Sequence, residues 1–136
     1  MPSLTIQTEL FPASPEGDLE GCNGMPGSAV AQWLIPELTK NGYKCDEPVQ
    51  EDYGWFFSVK DQDLTIGIDI SFCGNPGEIE GLPEWVISVE DKPSIFMLGQ
   101  WFKGNPKKAS AAKILSIITA SVTAESRITV LEETKR

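Results

Sequence analysis

The chain has 136 residues, of which 40% are hydrophobic and 23% are charged, and it has a net charge of −9. This length is typical of one domain and supplies enough apolar surface for a core without disulfides or metal, so we predict a single domain over residues 1–136. The chain contains no histidine, which excludes Ser-His and Cys-His catalysis and every histidine-ligated metal site.

The acidic residues are unevenly distributed. Residues 1–100 hold 17 Asp or Glu and four Lys, for a net −13, whereas residues 101–136 hold seven Lys or Arg and three Glu, for a net +4. An acidic surface repels phosphate backbones and anionic lipids, so we expect neither a nucleic acid nor a membrane as partner. The same surface favours a basic partner, although solubility alone also explains an acidic composition.

Three cysteines, at positions 22, 45 and 73, form no Cys-x-x-Cys pair. The odd number predicts free thiols in a reducing compartment. The N-terminal "MPSLTIQTEL" lacks the basic and apolar regions of a signal peptide, and no run approaches the ~20 apolar residues of a membrane helix. We therefore expect a soluble cytoplasmic protein without a cofactor.

The first third of the chain predicts a strand, a long loop and a helix. Alternation from Leu4 to Leu10 is typical of a strand, and the Pro/Gly-rich stretch 12–27 is a loop. Ser28 is a predicted N-cap, Pro36 a predicted kink, and Gly42 the predicted helix end. The apolar face of this helix contains Val30, Trp33, Leu34 and Leu38. A short strand between Tyr43 and Val49 is also possible.

The segment from residue 53 to residue 72 predicts a β-hairpin. Tyr53, Trp55, Phe57 and Val59 alternate with polar residues or glycine, except at Phe56, and Leu64, Ile66, Ile68, Ile70 and Phe72 alternate likewise. Pairing the two apolar faces places Val59 by Ile66, Phe57 by Ile68 and Trp55 by Ile70, with a loop at 62–63 or at 61–64. Trp55 and Phe57 are then core, and Gly54 serves a bulge or a close backbone approach. Phe56 falls on the polar face, where it is either covered by a helix or exposed.

The second half predicts a Pro/Gly-rich loop at 73–83, a strand at 85–89, a segment 94–102 that fits either strand or helix, a helix from Asn105-Pro106, and a final strand containing Ile128 and Val130. The helix buries Ala111, Ile114, Leu115, Ile118 and Val122. We therefore predict an α+β fold in which two helices pack on one face of a mainly antiparallel sheet of about five strands, in the order β-α-β-β-β-α-β.

The stretches "AVAQWLIPELTKNGY" and "EDYGWFF" carry a resemblance. The chain here resembles several small uncharacterised bacterial families in which an amphipathic helix ending in Gly-aromatic precedes a Glu-Asp-aromatic-Gly-Trp strand entry. Its organisation is also similar to that of some immunity-type proteins of bacterial toxin systems. The resemblance implies a small acidic α+β protein and transfers no catalytic assignment to this chain.

No catalytic or metal-ligating residue emerges from the sequence, but several side chains are candidates for contact with a partner. Adjacent Glu51 and Asp52 would point to opposite faces of a strand, so they do not form an acid–base pair. Asp69 lies on the polar face of an apolar strand, where exposure or pairing with Lys60 is expected, and Cys73 lacks a base to activate it. The remaining candidates are Phe56 and a loop whose acids could steer a partner towards an aromatic anchor: Glu78, Glu80, Glu84 and Trp85.

These patterns favour a non-enzymatic domain of the inhibitor or immunity type that binds a basic protein. The first alternative is an enzyme or ligand-binding module that uses Asp69 on the sheet face. The second is an assembly or structural protein whose exposed aromatic residues form a homo-oligomer interface. A closed surface around Phe56 and Asp69 favours protein binding, whereas a pocket with converging polar groups favours ligand chemistry.

Overall fold

The computed structural model describes residues 1–13, 25–73, 81–91 and 106–135. Several predictions lie outside these ranges: most of the 12–27 and 73–83 loops, the 94–102 segment, the Asn105 cap, and the candidates Glu78 and Glu80. The described elements are β1 (Ser3–Gln7), α1 (Ser28–Lys40), β2 (Lys44–Cys45), β3 (Val49–Glu51), β4 (Gly54–Asp61), β5 (Leu64–Cys73), β6 (Glu84–Val89), α2 (Pro106–Ala124) and β7 (Thr129–Thr134).

The seven strands form one antiparallel sheet in the order β2-β4-β5-β6-β1-β7, with β3 also paired to β4. The predicted α+β class is confirmed, but the sheet has seven strands rather than about five. The additional strands, β2 and β3, both pair with β4, and β2 lies in the segment between Tyr43 and Val49 where the sequence allows a short strand. Two- and three-residue strands are too short to show an alternating pattern in the sequence.

The β4–β5 hairpin has the predicted register. Val59 lies opposite Ile66, Phe57 opposite Ile68, and Trp55 opposite Ile70. Asp61 pairs with Leu64, so the loop has two residues, and Gln62 at its first position has a positive φ of 56°. Because directly opposed residues share a face, this pairing places one apolar row from each strand on the same side.

Both helices pack against that side of the sheet and against each other. Helix α1 buries Val30, Ala31, Leu34 and Leu38, so its face is centred as predicted, although Trp33 is only half-buried. Helix α2 buries Ala111, Ile114, Leu115, Ile118 and Val122, as predicted. We call the helix-bearing side of the sheet the inner face and the opposite side the outer face.

The ends of α1 differ in how well the sequence predicts them. Gly42 has a φ of 91°, and the N–H groups of Gly42 and Tyr43 donate to the carbonyls of Thr39 and Leu38. This pair of bonds is a Schellman motif, so Gly42 ends the helix as predicted. The prediction for Ser28 is wrong, because Gly27 occupies the cap position, without a side-chain cap, and Ser28 is the first helical residue.

Two neighbouring phenylalanines test the assignment of faces. Phe57 is 1% exposed on the inner face, whereas Phe56 is half-buried on the outer face. Phe57→Ala should lower the free energy of unfolding by about 3–5 kcal/mol because it leaves a cavity in the core. Phe56→Ala should lower it by only about 1 kcal/mol because less apolar surface is lost. Urea denaturation of both variants measures the difference, and equal losses would contradict the assignment.

Candidate functional site

Among the described residues, the outer face of the sheet is the side that the helices leave uncovered. In β1 and β6, the residues that alternate with the buried ones are half-buried, and they point away from the helices. Within the described ranges, neither helix covers this face. A sheet face of this kind, polar and accessible, is available to a partner in a way that the inner face is not.

A group of apolar and acidic side chains gathers at one end of this face, and we call it the outer patch. Its centre is Phe56 on β4, which lies opposite Val49 of β3 on one side and Asp69 of β5 on the other. Val49 is 49% exposed and Tyr53 is 43% exposed, which makes them two of the most exposed large apolar residues described. The outer patch consists of Val49, Glu51, Tyr53, Phe56, Asp69 and Glu90.

A glycine shapes the middle of the outer patch. A Cβ placed on Gly67 would lie 2.7 Å from Cε2 of Phe56 and 2.7 Å from Oε2 of Glu90. The aromatic ring and the carboxylate therefore sit side by side in the space that a side chain on β5 would fill. The backbone N–H of Glu90 donates to the carbonyl of Gly67 at 2.8 Å, which holds this residue beside β5 after β6 has ended.

Tyr53 interacts electrostatically with three carboxylates. Its hydroxyl donates a hydrogen bond to Oδ1 of Asp69. Partial burial raises the pKa of Tyr53 above its usual value, and the hydrogen bond to Asp69 and the negative charges of Asp69, Glu51 and Glu90 raise it further. The phenol thus lies in a negative potential to which all three acids contribute.

Of the candidates predicted from the sequence, the fold brings Glu51, Phe56 and Asp69 together. Asp52 lies beside them, in the two-residue turn that joins β3 to β4. The expected pairing of Asp69 with Lys60 is wrong, because Lys60 lies opposite Thr65, four residues before Asp69 on β5.

Trp85 does not belong to any accessible surface. Its side chain is 0% exposed and packs against Phe72 and Phe11, with ring centroids 4.9 and 6.2 Å away. Its proposed role as an anchor for a partner is therefore wrong, because strand alternation directs it into the core between Ile6 and Phe72. Glu84, the residue before it, is half-buried on the outer face.

Neither of the two cysteines that the structure describes, Cys45 and Cys73, has an activated thiol, and Cys22 lies outside the described residues. Burial and the charge of Glu84 raise the pKa of Cys73, and burial and the charge of Asp46 raise the pKa of Cys45. Both thiols are free of disulfides. A raised pKa disfavours the thiolate form that nucleophilic catalysis requires.

The sequence does not identify three members of the outer patch as candidate site residues: Tyr53, Glu90 and Val49. The alternating pattern assigns Tyr53 to the inner face with Trp55, but β4 begins only at Gly54, so Tyr53 lies in the turn and reaches the outer face. Gly54 provides the close backbone approach that the sequence predicts, because a Cβ there would lie 2.1 Å from the carbonyl oxygen of Ile70. A second glycine, Gly67, is the one sequence signal for a crowded outer face.

Several cavities lie away from the outer patch. Two cavities of about 560 and 230 Å³ run between α2 and β7 and share Ser116, Glu133 and Lys135. A third, of about 510 Å³, is lined by Glu9, Leu10, Leu82 and Arg127.

In the described part of the chain, no group of three or more Cys, Asp or Glu side chains is arranged to hold a metal ion. Neither described helix has the length and hydropathy of a membrane-crossing segment.

Comparisons of the chain with protein-family models, with curated proteins and with solved structures found no match. The function is therefore argued from the geometry of the outer patch.

The titration of Tyr53 tests the arrangement around Asp69. Asp69→Asn removes one charge and the ionised hydrogen-bond acceptor, so the pKa of Tyr53 should fall towards its usual value. The alkaline rise in absorbance of the phenolate near 295 nm measures this, with Tyr53→Phe as the reference that isolates the Tyr53 signal. Asp63→Asn, in the exposed turn of the β4–β5 hairpin, is the matched control and should leave the titration unchanged. An identical Tyr53 titration in Asp69→Asn would contradict the described contact.

Proposed function

We propose that the protein is a non-enzymatic binding domain of the inhibitor or immunity type, which engages the basic surface of a partner protein through the outer patch. The observation that carries this proposal is the composition of the patch. Exposed apolar surface from Val49, Tyr53 and Phe56 lies beside the carboxylates of Glu51, Asp69 and Glu90, which would supply the acidic rim of the interface. Interfaces commonly combine an aromatic centre with a charged rim in this way.

The charge of the chain supports a basic partner. Residues 1–100, which include the whole outer patch, carry a net charge of −13. A surface of one sign attracts a partner of the opposite sign over about 10 Å at moderate ionic strength and thereby speeds their encounter. The acidic rim contributes mainly to the rate and selectivity of association, whereas burial of the aromatic side chains slows dissociation.

Two further considerations favour this function over its alternatives. Asp69 is half-buried and accepts a hydrogen bond from the exposed side chain of Tyr53, so its carboxylate belongs to a surface cluster with aromatic neighbours, which supports contact with a protein surface. Self-association through the outer patch is disfavoured because a two-fold interface would bring the three carboxylates of each copy together. A reducing, cytoplasmic location belongs to the same proposal and agrees with the free thiols of Cys45 and Cys73.

The dependence of the association rate on salt and on the removal of acidic charges tests the proposal. A partner is first isolated by affinity capture from the source cell with elution at increasing salt, and its association rate is then measured by surface plasmon resonance. The rate should fall as salt is raised from about 0.05 to 0.5 M, because exposed charges become screened. The double variant Asp69→Asn/Glu90→Gln should slow association by about two- to tenfold at low salt, and the difference should shrink at high salt.

Matched variants distinguish the effect of the charges in the outer patch on the association rate from the effect of the overall net charge. Glu47→Gln/Asp63→Asn removes two negative charges from exposed positions outside the patch and should change the association rate much less. Glu78→Gln/Glu80→Gln/Glu84→Gln tests the second acidic segment in the same way. Equal slowing by the patch double variant and its control, or an association rate indifferent to salt, would contradict the proposed function.

A further inference from the structure

The outer patch has a feature that a purely acidic surface lacks. The ring of Phe56 and the carboxylate of Glu90 lie side by side over Gly67, and Asp69 lies directly across from Phe56 on the neighbouring strand. The phenol of Tyr53 adds a second aromatic ring, which is 43% exposed and hydrogen-bonded to Asp69. Aromatic carbon and carboxylate oxygen therefore meet at one place on the sheet.

We infer that the outer patch receives an arginine side chain of the partner protein, whose guanidinium contacts the aromatic rings of Phe56 and Tyr53 and pairs with Asp69 and Glu90. This inference rests on the proposed function, because it specifies which basic group of the partner occupies the patch.

The chemistry of the patch favours arginine over lysine for two reasons. A guanidinium is planar, stacks on aromatic rings and is only weakly hydrated, so contact with Phe56 and Tyr53 costs it little solvation. Its five donors form a fork that bonds to more than one carboxylate oxygen at once, which suits two acids placed near one ring. A lysine ammonium is a compact and strongly hydrated charge, so it gains from the acids but much less from the rings.

The position of the patch also allows a side chain to enter from solvent. Val49 and Tyr53, at the margin of the patch, are 49% and 43% exposed, and Phe56 is half-buried between Val49 and Asp69. The aliphatic stem of an arginine would cover this apolar margin while its charged end lies among the acids. The aliphatic stem would thus contact apolar surface and the charged end would contact carboxylates.

Short peptides test the inference on the intact protein without knowledge of the partner. Triarginine and trilysine amides, which have the same charge, are titrated into ¹⁵N-labelled protein, and chemical-shift changes are followed by NMR. Triarginine should bind about two- to fivefold more tightly than trilysine, the range expected for an exposed cation–π contact. The shift changes should be largest around residues 49–56, 67–69 and 90.

Two variants separate the contributions of the rings and the acids. Phe56→Leu keeps an apolar side chain but removes the ring, so it should weaken triarginine binding more than trilysine binding and thereby abolish most of the preference for arginine. Asp69→Asn/Glu90→Gln should weaken the binding of both peptides.

The possible outcomes distinguish this inference from the proposed function. Equal binding of the two peptides at the outer patch would overturn the arginine inference and leave the basic-partner function supported. Arginine preference that survives in Phe56→Leu would also overturn it. Absence of shift changes at the patch with both peptides would overturn the inference and count against the proposed function as well.

Discussion

The antiparallel pairing of β4 with β5 is the constraint on which both the core and the outer patch depend. It places Phe57 opposite Ile68 on the inner face and, in the same step, Phe56 opposite Asp69 on the outer face. Because side chains alternate along a strand, a slip of one residue would exchange these two faces completely. The burial of Phe57 beneath the helices therefore also fixes Phe56 on the outer face, and the folding energy of the core holds the outer patch in place.

Two glycines allow side chains to approach the hairpin closely and so shape its outer face. Gly54 has a φ of 155° and lets β4 begin against the carbonyl of Ile70, which leaves Tyr53 in the preceding turn and within reach of Asp69. Gly67 leaves room on β5 for the ring of Phe56 and the carboxylate of Glu90. A glycine within a strand lowers stability because it loses more backbone freedom on folding and packs no side chain. Here the lost stability is accompanied by close approach of groups that larger residues would keep apart.

The sequence predicts those parts of the fold that depend on long apolar periods: the hairpin register and the buried faces of both helices. The alternating pattern predicts the wrong face where a turn interrupts the strand. Tyr53 continues the alternation of Trp55 in the sequence, yet the strand begins after it. Trp85 was offered as an exposed anchor because acidic residues precede it, although strand parity already places it inside. Glu90 follows the end of β6, so only the tertiary pairing with Gly67 brings it to Phe56.

The concentration of acids at the outer patch has an energetic consequence for the free protein. Glu51, Asp69 and Glu90 all raise the pKa of the Tyr53 hydroxyl, so they act on the same small volume and repel one another there. The core on the inner face contributes the stability that tolerates this repulsion. A cationic side chain entering the patch would replace repulsion by attraction, and any ligand that binds only the folded state adds to its stability. Repulsion among the acids of the free patch and attraction to the proposed basic partner would thus act in opposite directions at one surface, which is the relation expected where binding and stability make opposing demands on one region.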